Sequence, residues 1–184
     1  MRDKELPTRK HIRLKNYDYS QNGAYFITVC TKNKMCIFWD NNDKYQPLSP
    51  KSTLQTVVAA FRRPENPHKI RLSEYGQLVK NELDKIPIVY PDIVFISKYV
   101  IMPNHVHLII IISNDVNGGR RNAAPTISRI MNQFKGCVSR KSGFPVWQKS
   151  FYDRIIRNAN EYRAFCDYII SNPSTWGNDE LFSK

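Results

Sequence analysis

The chain has 184 residues, enough for one domain that buries a core without disulfide or metal support. Its 41% hydrophobic and 24% charged residues are ordinary for a folded protein and exclude wholesale disorder. Lysine and arginine exceed the acidic residues by 28 to 16, which gives a formal net charge of +12 at pH 7. We therefore expect a polyanionic partner, with nucleic acid ahead of an anionic membrane surface.

The spacing of the cysteines and the length of the apolar runs indicate where in the cell the protein is expected. Cys30, Cys36, Cys137 and Cys166 are scattered without a CxxC pair, and no secretory signal pattern is present. We therefore expect reduced thiols and a cytoplasmic protein. The most apolar run, Val106–Ile112, is too short to span a bilayer, so we expect no membrane partner.

The first half of the chain alternates between patterned and unpatterned segments. Residues 1–20 are polar and basic, which predicts an N-terminal arm. Residues 24–32 are rich in aromatic and β-branched side chains after an Asn-Gly turn signal, which predicts a first strand. Residues 40–72 contain four prolines and little periodicity, which predicts a loop-rich insertion. Helical spacing predicts a helix over residues 73–86, ended by Pro87.

The second half shows the same kinds of pattern. The predicted elements are strands over residues 93–102, 105–113 and 151–157, helices over 126–139 and 161–172, and a flexible loop over 114–124. Pro173 is expected to close the last helix. The resulting order, β-α-β-β-α-β followed by a helix, is the ferredoxin-like arrangement of an antiparallel sheet with packed helices. The predicted fold class is therefore α+β, in one domain of residues 1–184.

His105 and His107 lie two residues apart in a predicted strand. Alternation places both imidazoles on one face of the strand and Val106 on the other. Two rings at this spacing can share a cation if a third ligand comes from elsewhere, or they can form a hydrogen-bonded pair. Two polar rings in so apolar a strand are costly without partners.

Tyr168 lies at the edge of the apolar stripe of the last predicted helix, and Asn172 follows one turn later. The hydroxyl and the amide would thus emerge together at the border between core and solvent. From these residues alone, an amphipathic boundary tyrosine is the ordinary interpretation, and a reactive hydroxyl is the alternative.

A basic tract covers residues 118–152, which contain no acidic residue. Its cations are Arg120, Arg121, Arg129, Lys135, Arg140, Lys141 and Lys149. Trp147, Phe151 and Tyr152 interleave with them. These residues suit contact with phosphates and stacking on unpaired bases, and a solvated helix face is the alternative interpretation.

Spacing excludes several other chemistries. No P-loop, dinucleotide-binding glycine pattern or GxSxG elbow is present, and the chain has only seven glycines. Cys30 and Cys36 lack zinc-knuckle spacing. Ile109 stands where a histidine triad needs a third alternate histidine. The RNA-recognition fold shares the predicted element order, but its aromatic sheet motif is missing from residues 105–112.

Two segments of the chain resemble a known family. They are YVIMPNHVHLIII at Tyr99–Ile111 and VWQKSFYDRIIRNANEYRAFCDYIISNP at Val146–Pro173. Both resemble the REP-associated tyrosine transposases, which are relatives of the single-tyrosine insertion-sequence transposases within the HUH nuclease superfamily. The likeness covers most of the chain, includes the LSEYG start of the first helix at Leu72–Gly76, and is weakest over residues 40–72.

The resemblance implies roles for particular residues. His105 and His107 would be metal ligands, and Tyr168 would be the nucleophile. Asn172 would be the third ligand, although the following Pro173 disfavours helical geometry at that residue. Two imidazoles with oxygen ligands suit Mg or Mn better than a closed zinc site.

The activity implied by the resemblance is metal-dependent cleavage and rejoining of hairpin-containing single-stranded DNA through a 5′-phosphotyrosine. The alternative is a DNA-binding protein that keeps the fold but has little or no cleavage activity, and an RNA-binding module is a third hypothesis. Insertion-sequence relatives work as dimers with exchanged tyrosines, whereas the REP-associated group is able to act as monomers. We expect a monomer.

Overall fold

The computed structural model describes residues 19, 21–40, 71–113, 125–179 and 181. Its elements are β1 (Gly23–Cys30), a 3₁₀ turn (Lys32–Lys34), α1 (Glu74–Val89), β2 (Val94–Ile101), β3 (His105–Ile112), α2 (Ile127–Ser142), β4 (Tyr152–Ile156), α3 (Ala159–Ser171) and a 3₁₀ helix (Asn172–Asn178). This is the α+β class expected from the sequence. The predicted arm apart from Tyr19, the predicted insertion apart from its two ends, and the loop at 114–124 lie outside the described residues. In the part of the chain that is described, no helix has the length and apolar character needed to cross a membrane.

The four strands form one antiparallel sheet in the order β2-β3-β1-β4. β3 pairs with β1 along one edge and with β2 along the other, so it lies inside the sheet. Helices pack on both faces of the sheet, and seven of the eight residues of β3 are buried. This double burial explains why β3 ends in an uninterrupted apolar run rather than in an alternating pattern.

One face of the sheet packs against α1 and α2. The core on this side joins alternate residues of β3 to Leu83 of α1 and Ile130 of α2. The first turn of α1 also lies against the chain after β1, where a Cβ atom on Gly76 would be 2.1 Å from the Phe38 carbonyl oxygen. Only glycine permits so close an approach, so Gly76 sets how α1 docks.

The opposite face of the sheet packs against α3. Ile169 of α3 contacts a small core that contains Phe26 of β1 and Ile109 of β3. The helix begins at Asn158, whose side chain accepts a hydrogen bond from the Glu161 N–H at 2.9 Å. This docking places α3 over the histidine-bearing face of β3.

The α-helix α3 ends at Ser171, just before Pro173, as expected, but two other predictions about proline were wrong. Pro87 does not end its helix but lies inside α1, and the Tyr90 N–H still donates to the Ile86 carbonyl at 3.1 Å. A proline in the last turn removes one backbone donor and leaves the next hydrogen bond intact. Asn172 likewise has helical angles, φ −52° and ψ −44°. The chain continues there as a 3₁₀ helix with Pro173 in its first turn, where the missing N–H has no partner to lose.

Candidate metal and nucleophile site

His105 and His107 of β3 form a compact pair on the side of the sheet that faces α3. Their ring centroids lie 4.5 Å apart, and the two residues are 0% and 2% exposed. Phe26 of β1 stacks on His107 at 5.3 Å between centroids. The alternation of β3 therefore directs both imidazoles away from the larger core and into one small space.

Burial keeps both rings neutral. Desolvation lowers the pKa of His105 and of His107 to about 3. For His107, the neighbouring His105 lowers the pKa further and Asp179 opposes the shift. Neither ring is protonated near pH 7, so each keeps a nitrogen lone pair. A neutral imidazole is the form that binds a metal ion.

The Nδ1 atom of each ring has a hydrogen-bond partner. Thr28 Oγ1 lies 2.8 Å from His107 Nδ1, and Asn104 Oδ1 lies 2.8 Å from His105 Nδ1. The two Nε2 atoms therefore face the site: His105 Nε2 has no hydrogen-bond partner among the described residues, and His107 Nε2 lies 3.3 Å from the Tyr168 hydroxyl oxygen. Second partners of this kind commonly orient histidines that bind metal ions.

Asp179 joins the two histidines and was missed by the sequence analysis. It directly follows the 3₁₀ helix that extends α3, and its Oδ2 lies 3.9 Å from His105 Nε2. One ligand atom from each of His105, His107 and Asp179 lies within 4.8 Å of the others. The only available signal was that Asp179 and Glu180 are the sole acids after residue 167. Nothing in their local pattern pointed to a site.

Asn172, the predicted third ligand, lies at the junction of α3 and the 3₁₀ helix and is 2% exposed. Among the described residues, neither its Oδ1 nor His105 Nε2 has a hydrogen-bond partner, although both atoms are buried. Such atoms are costly unless something satisfies them. A divalent cation would do so, and imidazole nitrogens, a carboxylate and an amide oxygen are suitable donors. The residues present therefore fit a metal ion.

Tyr168 lies on α3 and lines a cavity of about 830 Å³ together with His107, Asn172 and Asp179. Its hydroxyl oxygen is 3.3 Å from His107 Nε2, and the residue is 43% exposed. Phe26 meets the tyrosine ring edge-on, with 5.9 Å between centroids. The fold thus places an accessible phenol beside a nitrogen that can bind a metal.

The predicted DNA-binding cations that the structure describes are not gathered in one place. Arg120 and Arg121 lie outside the described residues. Arg129 and Arg140 are exposed on α2, which packs on the sheet face opposite to α3. Lys149 is exposed between two residues that line the cavity. Of the described arginines and lysines in this set, Lys149 is therefore the one placed beside Tyr168's cavity.

Two other predicted DNA contacts, Lys135 and Lys141, have partners within the protein. The Lys135 ammonium donates to the carbonyl oxygens of Gln148 and Lys149 at 2.7 and 2.9 Å. The Lys141 ammonium donates to Glu82 Oε1 at 2.6 Å. Lys135 thus anchors the segment that forms one wall of the cavity, and Lys141 joins α2 to α1.

The prediction that Trp147 stacks on a base was wrong for this conformation. Trp147 is 7% exposed, and its ring packs 5.3 Å from Phe38 and 5.6 Å from Phe134. It is a core residue because the segment after α2 folds back onto the sheet. Tyr152, at the start of β4, is instead 48% exposed and lines the cavity.

The sequence of this chain is similar to that of one other protein. No family model matches it. A protein of Haemophilus influenzae, itself described as uncharacterized, is 33% identical and aligns with 95% of this chain and 93% of its own length. The chain belongs to the same family as that protein.

A solved structure described as a REP-associated tyrosine transposase bound to a REP hairpin matches 90% of this chain and 74% of its own, with a TM-score of 0.55 and 19% identity. The chain has the tyrosine transposase fold. The family resemblance found in the sequence is thereby confirmed as a likeness of fold. In this fold, α3, which carries Tyr168, packs against β3, which carries His105 and His107.

Proposed function

We propose that this protein is a tyrosine transposase, a metal-dependent endonuclease that cleaves and rejoins hairpin-containing single-stranded DNA. The observation that supports this most directly is the 3.3 Å separation between the Tyr168 hydroxyl and His107 Nε2 beside a large cavity. A potential nucleophile, two neutral histidines and space for a strand of DNA coincide there.

The proposed cation is Mg²⁺ or Mn²⁺, held by His105 and His107 with oxygen from Asn172 or Asp179. Mixed nitrogen and oxygen donors suit these ions better than a closed zinc site. When bound, the cation would polarise the scissile phosphate and stabilise the charge that develops in the transition state. The protein itself contributes two neutral imidazoles and the oxygen ligands of Asn172 and Asp179, which lie close together before the cation binds.

Tyr168 is the proposed nucleophile. Its hydroxyl oxygen forms a bond to the scissile phosphorus while the bond from phosphorus to the 3′ oxygen breaks. The phenolic proton passes to solvent, which reaches the half-exposed side chain, and the departing 3′ oxygen takes up a proton. The products are a 5′-phosphotyrosine and a free 3′-hydroxyl. Contact with His107 and Phe26 holds the ring at the place of attack.

Rejoining is the reverse of this step. A 3′-hydroxyl attacks the phosphotyrosine, the phosphodiester forms again, and the phenol of Tyr168 is released with a proton. The covalent intermediate retains the energy of the cleaved bond, so strand joining requires no nucleotide cofactor.

Single-stranded hairpin DNA is the proposed substrate class. The net charge of +12 favours a polyanion. At the cavity, Tyr152 offers an exposed ring for an unpaired base and Lys149 a cation for a phosphate. The structural relative is bound to a REP hairpin, and we extend that class of substrate to this chain.

The proposal includes a monomeric protein of one domain, residues 1–184, in the cytoplasm. Tyr168 and both histidines of the site come from one chain, so no second copy is needed to bring them together. All four cysteines are free thiols, which suits a reducing compartment. Light scattering on the purified protein measures the oligomeric state.

The proposal is tested with labelled hairpin single strands taken from the DNA that flanks the protein's own gene. With Mn²⁺ or Mg²⁺ we expect a denaturant-resistant protein–DNA band, and Tyr168→Phe or a chelator should each remove it. Tyr162→Phe is a matched control, because that hydroxyl lies on the same helix but bonds to Ser97. A control variant that also loses the band would contradict the role of Tyr168.

A DNA-binding protein without cleavage activity is the second candidate function. The complete burial of His105 favours it, because such a ring must become accessible before a cation can reach it. DNA that is retarded in native gels but never attached covalently, for several flanking hairpins and both cations, would support this candidate.

A further inference from the structure

Asn104, the residue before His105, connects the histidine pair to the end of the described chain. It is 1% exposed. Its Nδ2 donates to the Leu181 carbonyl oxygen at 2.8 Å and approaches the Lys34 carbonyl oxygen at 3.5 Å. Both neighbours accept hydrogen bonds and cannot donate them, so the NH₂ end of the amide must face them.

This orientation of Asn104 selects the tautomer of His105. With Nδ2 directed at the carbonyls, Oδ1 faces His105 Nδ1 at 2.8 Å and accepts a hydrogen bond from it. In the neutral ring the proton is therefore on Nδ1, and Nε2 keeps its lone pair. That Nε2 is buried and lies 3.9 Å from Asp179 Oδ2.

The same amide also holds the turn that carries Asp179. Asn104 binds the carbonyl of Leu181, two residues beyond Asp179, and the Leu181 N–H donates to Asp179 Oδ1 at 2.7 Å. One carboxylate oxygen is thus occupied within the turn, and the other faces His105. The orientation of the carboxylate therefore depends on the docking of this turn against Asn104.

We propose that Asn104 is a positioning residue that prepares two metal ligands at once: it selects the metal-binding tautomer of His105 and docks the C-terminal turn that supplies Asp179 as an additional ligand. This inference rests on the metal-dependent function proposed above and extends it with both residues. Hydrogen-bond partners of metal ligands commonly contribute about 10–100-fold to metal affinity. Asn104 acts on two ligands, so its removal affects both.

Calorimetric titration of the full chain with Mn²⁺, without DNA, measures this effect independently of cleavage. We expect Asp179→Asn and Asn104→Ala each to weaken Mn²⁺ affinity by about tenfold or more. Asp84→Asn is the matched control, because that carboxylate lies on α1, which packs on the opposite face of the sheet, and it should leave the affinity unchanged. The double variant Asn104→Ala/Asp179→Asn should lose less than the product of the two single losses, because Asn104 acts partly through Asp179.

The tautomer of His105 gives a readout that a merely structural role would not change. Long-range ¹H–¹⁵N correlation spectra of the cation-free protein distinguish a ring protonated on Nδ1 from one protonated on Nε2. We expect the Nδ1–H form in the wild type and a loss of that preference in Asn104→Ala. Asn104→Asp keeps the acceptor for His105 but loses the donor to Leu181, so it should retain the Nδ1–H tautomer that Asn104→Ala loses.

The results distinguish a failure of the role proposed for Asn104 from a failure of the proposed metal-dependent function. Wild-type Mn²⁺ affinity and an unchanged tautomer in folded Asn104→Ala would overturn the inference and leave the proposed function standing. If Asn104→Ala does not fold, wild-type Mn²⁺ affinity in Asp179→Asn overturns the ligand role by itself. A wild-type protein that binds neither Mn²⁺ nor Mg²⁺ would overturn the proposed function and this inference together.

Discussion

Thr28 and His107 are partners across β1 and β3, and Thr28 Oγ1 lies 2.8 Å from His107 Nδ1. The other nitrogen of the ring, Nε2, faces the Tyr168 hydroxyl at 3.3 Å. If Nε2 binds a cation, Nδ1 must carry the proton and donate it to Thr28. One hydroxyl in the middle of a strand thus orients the histidine that lies between the sheet and the proposed nucleophile.

Replacing Thr28 tests this orientation. Thr28→Val keeps the branched shape and the strand preference but removes the acceptor, so Mn²⁺ affinity should fall by about tenfold. Thr28→Ser retains a hydroxyl at the same position and should stay near the wild type. Calorimetry with Mn²⁺ measures both. Equal affinities in the valine and serine variants would show that His107 does not depend on this bond.

The buried histidines should make the stability of the cation-free protein depend on pH. Burial lowers the pKa of both rings from 6.5 to about 3. Between these values the unfolded chain binds more protons than the folded one, so the free energy of unfolding falls as the pH drops through this interval. Each ring contributes at most about 1.4 kcal/mol per pH unit.

Urea unfolding in a chelator, repeated across this pH interval, measures the slope. His107→Gln should make the slope shallower, because one of the two buried imidazoles no longer takes up a proton on unfolding. A slope that is the same in this variant and in the wild type would mean that His107 is not held neutral by burial.

Local patterns predicted the parts of the fold that depend on neighbouring residues. The alternation of β3 and the helical spacing of α2 and α3 are set by which face is buried, and the sequence records that directly. The His105 and His107 pair followed from the same alternation. The proposed role of Tyr168 came from the family resemblance, since nothing in its own helix separates it from an ordinary boundary tyrosine.

Other features depend on contacts between distant segments and could not be predicted. Trp147 is buried because Phe38, more than a hundred positions earlier in the sequence, packs against it. Asp179 reaches His105 only because the chain continues past Pro173 as a 3₁₀ helix that turns back over β3. Neither arrangement can be recognised from a periodic pattern in the neighbouring sequence.

We expect Lys149 to bind DNA and Lys141 to stabilise the fold, and replacing each lysine tests this division. Lys149→Ala should weaken single-strand binding and reduce the salt dependence by about one phosphate contact, with unchanged unfolding. Lys141→Ala should instead lower the free energy of unfolding, because the buried Glu82 carboxylate loses one of its two lysine partners. Salt-dependent binding assays and urea unfolding measure the two effects. The opposite pattern would contradict this division.

Tyr152 lines the cavity together with Tyr168 and is 48% exposed, whereas Trp147 is 7% exposed. Tyr152→Ala should reduce the binding free energy for hairpins with unpaired bases by about 1–3 kcal/mol, and Tyr152→Phe should retain it, because stacking uses the ring and not the hydroxyl. Fluorescence anisotropy with single-stranded and fully paired DNA measures the difference, which should be confined to strands with unpaired bases. Equal losses in both variants would assign the contact to the hydroxyl. If neither variant binds more weakly, Tyr152 does not contact the DNA. Lys149 would then be the remaining proposed contact beside the cavity.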